Sequence, residues 1–339
     1  MTRLRVGILG CGKVTESLHL PVAAANDSVE VVRLVDAHAP RARQLADAWN
    51  VPGIAEDYRE VLDDVDAAIV ALPNHLHAPV TIELLDRGIH VLVEKPFAPS
   101  LAEAEALVEL ARDRDRVLMV SQNYRFHAGP TEVAGLLRRE RIGRIGNVRV
   151  DFRKRFRHPA DHPYRRGFQP LLLDMFVHHA DLMRFVLGRE AVAVECATWN
   201  PPWSRFEDPA SAAMTVDFGD DLSVSWRGSW ESTSTPTLWA GEWTIEGEDG
   251  AIAWSSRGDL EERDLDWVQL RRDGETHDLP LSAPRALDRH GSLTAFAAAI
   301  RAGSEPTTSG RDNLGTLKIC LAAIRSVAKG QRVELASLG

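Results

Sequence analysis

Short apolar runs alternate with amphipathic stretches along the first 120 or so residues. The runs read RVGILG, VEVVRLVD, AAIVALP, HVLVEKP and RVLMVSQ, with LHLPVAAA, PRARQLADAW, APVTIELLDRG and SLAEAEALVELARDR between them. Continuously apolar strands are buried on both faces, and the helices between them supply the cover. The pattern predicts an α/β fold, a doubly wound parallel sheet of the Rossmann kind. Ser100, with Glu103 three residues on, marks a helix start in the manner of a capping box.

The period changes after about residue 125. A helix is expected at 130–140. IGNVRVDFRKRF then alternates, with Val148, Val150 and Phe152 on one face and Arg149, Asp151, Arg153 and Arg155 on the other. Further alternating strands are expected near 192–199, 211–218, 222–230, 238–246 and 250–255. Helices are expected near 172–187, 289–302 and 311–329. This half reads as an α+β domain with a large, mostly antiparallel open sheet. At roughly 100–200 residues per domain, 339 residues fit two domains. The expected division is 1–123, dinucleotide-binding, and 124–339, substrate-binding and oligomerising, with the C-terminal helix packing back on the first. Eight of the nine tryptophans lie in the second half. They line a sugar site or a subunit interface, or they fill the core beneath the sheet.

Composition narrows the classes. The formal net charge is −9, against a phosphate-dominated nucleic-acid partner. The three cysteines, Cys11, Cys196 and Cys320, are too far apart to suggest a disulfide framework or a Cys-type zinc site. No apolar run reaches the roughly 18 residues that span a bilayer, and the N-terminus enters a strand pattern directly. These features predict a soluble cytoplasmic protein with neither membrane nor nucleic-acid partners.

Gly10-Cys11-Gly12-Lys13-Val14-Thr15 follows the first strand and opens a helix. Gly10 permits a tight turn, and Gly12 lets the backbone approach a pyrophosphate at the helix N-terminus. Thr15 stands where Gly or Ala is usual, and its branched side chain is expected to loosen the helix–strand contact. Asp36 closes the second strand, about where an acid takes the ribose hydroxyls. A carboxylate there repels a 2′-phosphate, so NAD is expected over NADP, with His38 and Arg41 close enough to soften the preference.

Ligands of such sheets bind outside the carboxyl ends of the strands. VEKPF ends the fifth strand, so Lys95 is expected in the cofactor crevice, held by Glu94, with Pro96 fixing the backbone, as a cis bond would. LPNHLHAPV ends the fourth, placing Pro73 and Asn74 in a turn and His77 at a helix start. In LLLDMFVHHADLMRFVLG, Asp174 and His178 are i and i+4 and share a helical face. An imidazole near neutrality can take a hydroxyl proton, a carboxylate can orient it, and a lysine can steady alkoxide charge. Asp174, His178, His179 and Asp181 are also metal-ligand types, but no further cluster supplies the remaining ligands at helical spacing, so no metal is expected. Cys11 reads as a small residue in a tight turn, not a nucleophile.

GILGCG, HLP at 19–21, Asp36, PNHLH at 73–77, GIHVLVEKP at 88–96, RIGNV at 144–148 and Asp174-x-x-x-His178-x-x-Asp181 together resemble the glucose–fructose oxidoreductase, inositol dehydrogenase and MocA family along nearly the whole chain. The resemblance implies Lys95, Asp174 and His178 as the catalytic set. The expected cofactor contacts are Gly10, Gly12, Lys13, Val14, Asp36, Leu72, Pro73, Asn74, His77, Glu94, Lys95 and Asn123. Tyr124, Arg125, Lys154 and Trp203 are candidate substrate contacts. The implied activity is NAD(P)-dependent hydride transfer between a nicotinamide and a secondary alcohol or ketone of a sugar, polyol or sugar derivative. A redox-neutral, oxidation–elimination cleavage of glycosides on the same fold is the runner-up. A non-catalytic dinucleotide-binding regulator is the rival from another class. A homodimer or homotetramer through the second-domain sheet is implied.

Two departures bear on the substrate. Gln169-Pro170-Leu171 and Phe176 replace glycines common in the family before and within the Asp-x-x-x-His helix, which reshapes the approach to the pocket. Lys154 is the polar residue on the inward face of its strand, whereas the row of Arg149, Arg153, Arg155 and Arg157 is expected in solvent or at a subunit contact. The local charge would suit an anionic sugar such as a uronate.

Overall fold

The computed structural model describes residues 2–159, 161–259, 265–282 and 287–339. The chain forms two compact units, Met1–Asn123 with Arg285–Leu314, and Tyr124–Pro284 with Gly315–Gly339.

The first unit runs β1 (Leu4–Leu9), α1 (Leu20–Ala24), β2 (Val29–Val35), α2 (Ala39–Trp49), β3 (Gly53–Ala55), β4 (Ala67–Val70), α3 (His77–Asp86), β5 (His90–Val93), α4 (Leu101–Asp113) and β6 (Leu118–Val120). The strands are parallel, in the order β3-β2-β1-β4-β5-β6. Every residue of β4 is buried, as a strand covered on both faces requires. The order reverses direction between β1 and β4, and that switch point opens a crevice at the carboxyl edge. β3 has only three residues, too few to show a period. Ser100 caps α4 by accepting the Glu103 N–H at 3.3 Å. Its hydroxyl also donates to the Glu103 carboxylate at 2.5 Å.

The second unit holds α5 (Ala128–Arg138), β7 (Ile145–Arg153), α6 (Phe176–Leu187), β8 (Ala193–Trp199), β9 (Ser211–Asp217), β10 (Ser223–Ser229), β11 (Glu242–Gly247), β12 (Gly250–Ser255), β13 (Trp267–Arg272) and β14 (Glu275–Asp278). The chain ends with α7 (Asp288–Ala302), which belongs to the first unit, then α8 (Gly310–Lys329) and β15 (Val333–Glu334). Nine strands lie in the order β14-β13-β12-β11-β7-β10-β9-β8-β15. All neighbours are antiparallel except β7 and β10, so β7 is a central strand with a parallel partner on one side. Val148, Val150 and Phe152 are buried on its inner face, in one core with Phe176, Val177, Ala180 and Met183 around α6. The opposite face is polar and open, with Arg149, Glu195, Thr215, Ser225, Arg227 and Glu246 exposed.

The tryptophans divide between core and surface. Trp226, Trp243 and Trp254 are fully buried, and the last two stack at 4.8 Å. Trp199, Trp203 and Trp267 are exposed. Among the described residues, no helix is long and apolar enough to cross a membrane.

Candidate active site

At the β1–β4 switch point, Gly10 adopts φ +96°, and an added Cβ would come within 2.4 Å of the Ala71 carbonyl oxygen. Only glycine meets both demands. A Cβ on Gly12 would meet nothing within 4 Å, so its outer side is open. A π-helical turn, Thr15–His19, leads into α1. Thr15 is fully buried, and its hydroxyl donates to the Gly10 carbonyl at 2.5 Å. The branched residue expected to loosen the helix–strand contact has its hydroxyl tied to the loop that follows the strand.

Asp36 has its carboxylate fixed by two backbone donors, Cys11 N–H at 2.8 Å and His38 N–H at 2.9 Å. Arg41 reaches across the loop to the Cys11 carbonyl at 3.0 Å and to Glu16 at 2.9 Å. Lys13 is exposed, 3.5 Å from Glu16, and Val14 is exposed at the helix start. Cys11 is buried, and burial, with Asp36 beside it, pushes its thiol up to about 12, so it has no nucleophilic character near neutrality.

The remaining cofactor candidates line the same carboxyl edge, after β4, β5 and β6. Leu72, Pro73 and Asn74 form the turn after β4. His77 is buried, with Nδ1 2.8 Å from the Pro96 carbonyl oxygen and Nε2 2.8 Å from that of Leu72. One ring therefore couples the turns that follow β4 and β5. The Lys95–Pro96 peptide is cis.

Glu94 does more than hold its neighbour. Its Oε1 lies 2.9 Å from His19 Nε2, 3.1 Å from Ser121 Oγ and 3.2 Å from two nitrogens of Arg289. Burial opposes ionisation, yet Arg289, His19 and Lys95 hold the carboxyl well below its usual range. Asn123 donates its side-chain amide to Asp288, which sits at φ +53°. Its Oδ1 is buried with no hydrogen-bond partner among the described residues. An open glycine side, a pre-set carboxylate and a buried acceptor to spare together fit a dinucleotide.

In the second unit, a π-helical turn, Leu171–Met175, precedes α6. Asp174 and His178 are thus not on one uniform α-helix, as their spacing suggested. Asp174 lies within the wider turn and His178 in the α-helix after it, a distortion that recurs at functional sites. Asp174 Oδ2 accepts the Tyr164 hydroxyl at 2.7 Å. Burial, then the Asp174 charge, pushes the Tyr164 phenol far up, so it stays a donor. His178 is buried, and its ring stacks on Tyr124 at 4.1 Å with 1° between the planes.

Arg125, a substrate candidate, forks onto Asp181 with two bonds of 2.6 Å in a buried pair that Thr316 also joins at 3.1 Å. Lys154 Nζ lies 4.6 Å over the Trp239 ring and 3.8 Å from Asp259. Trp203 stands on an exposed loop and donates to the Glu231 carbonyl at 2.9 Å. His179 takes the Trp226 indole N–H at 3.1 Å and sits 3.0 Å from the Trp239 carbonyl, and burial pushes it down to about 4, so it is a neutral structural bridge. Among the described residues, no group of three or more His, Cys, Asp or Glu is placed to hold a metal ion.

The sequence pattern of the GFO/IDH/MocA oxidoreductase family, NAD-binding Rossmann fold, matches residues 4–122, and that of the GFO/IDH/MocA C-terminal domain matches 131–253. The chain belongs to the GFO/IDH/MocA family. It is 32% identical over 254 residues to a dTDP-3,4-didehydro-2,6-dideoxy-alpha-D-glucose 3-reductase of Streptomyces violaceoruber, covering 74% of this chain and 72% of that one. It is 27% identical to an inositol 2-dehydrogenase of Rhizobium meliloti, covering 98% and 99%. A solved oxidoreductase from Agrobacterium radiobacter, in complex with NAD+, L-tartaric acid and magnesium, shares the fold over 100% of both chains, with a TM-score of 0.88 and 21% identity.

Within this GFO/IDH/MocA chain, four residues of the two clusters escaped sequence reasoning. Arg289 is remote in sequence from Glu94, and neither Arg257, whose guanidinium lies 4.4 Å over the Tyr124 ring, nor Trp239 lies in any motif. Tyr164 follows Pro163, a residue suited to a helix start, which could have flagged the short turn Pro163–Arg166.

Proposed function

We propose that this GFO/IDH/MocA protein is an NAD(P)-dependent oxidoreductase that moves hydride between a secondary alcohol or ketone of a sugar or polyol and the nicotinamide. The observation that carries the reading is the Tyr164–Asp174 hydrogen bond, four residues before the buried His178, in a chain whose other unit has the dinucleotide loop and Asp36. Bound NAD supplies the hydride acceptor. Gly10, Gly12, Lys13 and Val14 hold its pyrophosphate, and Asp36 its ribose. His178 takes the hydroxyl proton, and Asp174, held by Tyr164, orients the imidazole and stabilises its cation. Lys95 hydrogen-bonds the same oxygen and offsets its growing negative charge. Tyr124, Lys154 and Trp203 contact the substrate, and Arg125 supports the site through Asp181. Relatives named inositol 2-dehydrogenase and D-apiose dehydrogenase support the substrate class. We place the protein in the cytoplasm, as a homodimer or homotetramer through the open polar face of the nine-stranded sheet. A single monomer peak in sizing with light scattering would defeat that assembly.

The test is NADH formation from NAD+ across polyols, aldoses, sugar acids and glycosides, with Lys95→Ala as control. Turnover that Lys95→Ala abolishes while cofactor still binds supports the reading. A Lys95→Ala variant as active as wild type refutes it.

A further inference from the structure

We infer that Glu16 sets the cofactor preference, by keeping Arg41 from the 2′-position of the ribose that Asp36 receives. This rests on the dinucleotide reading above and adds a second residue that separates NAD from NADP. On a Rossmann sheet, an arginine near the ribose acid accommodates a 2′-phosphate. Arg41 has that place, in the first turn of α2 behind Asp36. Its Nε donates to the Cys11 carbonyl at 3.0 Å, its Nη1 to Gln44 at 2.8 Å, and its Nη2 meets Glu16 at 2.9 Å. Nε and Nη2 form one edge of the guanidinium fork, the kind of edge that grips two phosphate oxygens. A backbone carbonyl and a carboxylate already fill it.

The loop itself places Glu16. Its N–H donates to the Gly12 carbonyl at 3.1 Å, at the start of the π-helical turn. Cys11, which accepts from Arg41, gives its own N–H to Asp36 at 2.8 Å, so the clamp and the ribose acid meet on one residue. Glu16 also lies 3.5 Å from Lys13. That lysine is 84% exposed against 25% for Arg41, so the arginine bond is the less screened of the two. Its hydrogen bond with Arg41, with Lys13 adding, holds the Glu16 carboxyl below its usual range, so it is ionised throughout the neutral region. A 2′-phosphate reaches Arg41 only by breaking this bond, and it then faces the released carboxylate as well as Asp36. A 2′-hydroxyl meets neither cost. The arginine expected to soften the preference for NAD is thereby kept from doing so.

Calorimetry gives the Kd of NAD+ and of NADP+, without any substrate, for wild type, Glu16→Gln and the double variant Glu16→Gln/Arg41→Gln. Melting curves check each protein, and alanine replaces glutamine at Glu16 in both variants if glutamine disturbs folding. Glu16→Gln should lower the ratio of the NADP+ Kd to the NAD+ Kd by at least about threefold, the order of one exposed ion pair. The double variant should lose that gain, because the group that reads the phosphate is gone. A ratio unchanged in the single variant, or a gain that survives in the double variant, overturns the inference. Wild type that binds NAD+ while the ratio stays unmoved leaves the dehydrogenase reading standing. Wild type that binds neither dinucleotide removes both.

Discussion

Glu94→Gln is the sharpest perturbation of the cofactor-side unit. The substitution keeps the volume of a buried side chain and removes its charge. Arg289 then keeps Asp288 at 3.9 Å but faces an amide where the nearer carboxylate stood, beside His19 and Ser121. Removing one partner of a buried ion pair costs about 3–5 kcal/mol. At about 2–4 °C per kcal/mol for a unit of this size, the melting temperature should fall by about 6–20 °C. An exposed pair such as Arg144–Glu248 should shift it far less. The pH dependence has a definite sign. Glu94 is held below its normal range, so its contribution is complete above about pH 4.3, the unfolded value, and is lost as pH falls through the folded value. Wild type should therefore have a steeper acid limb below about pH 4.3 than Glu94→Gln, which keeps the contribution of other depressed carboxylates such as Asp266. Urea titrations at pH 7 and at stepped acidic pH measure both effects. A loss under about 1 kcal/mol, or an identical acid limb in the variant, would refute the reasoning.

Tyr164→Phe removes a hydrogen bond to a carboxylate, worth about 1.5–3 kcal/mol. The kcat/KM should drop about 10- to 100-fold while NAD+ affinity, read by calorimetry, holds; equal activity would rule out a positioning role for the phenol. His77→Phe removes the ring N–H from between the Leu72 and Pro96 carbonyls, leaving at least one of them without its donor at about 1–3 kcal/mol, and should weaken NAD+ binding. Unchanged affinity in a fluorescence titration would show that the two turns need no shared bridge. Asp36→Ser removes the charge that repels a 2′-phosphate, so the NADP+ to NAD+ ratio of kcat/KM should rise at least about tenfold, matching about 1.4 kcal/mol of repulsion. A constant ratio would place the discrimination elsewhere.

Much of the site was legible because it depends on local pattern. Gly10 is required by a turn, Lys95 and Asn74 follow apolar strands whose carboxyl ends face ligands, and Asp174 and His178 announce themselves by spacing. For Thr15 the sequence shows the branch but not the acceptor its hydroxyl finds. The π-turn under Asp174 left no periodic signal, because one extra residue in a short helix does not change its apolar face.

Which segments form strands or helices, and which face of β7 is buried, followed from periods of two and of 3.6, which each segment carries within itself. Only the tertiary structure decided the pairings between distant segments. It set β7 parallel to β10 within an otherwise antiparallel sheet. It returned residues 285–314 to the first unit, so that Arg289 meets Glu94. It also turned Arg257 over Tyr124. Local periodicity reports which face of an element is buried, whereas a partner far along the chain is selected by packing and charge pairing once the elements have assembled.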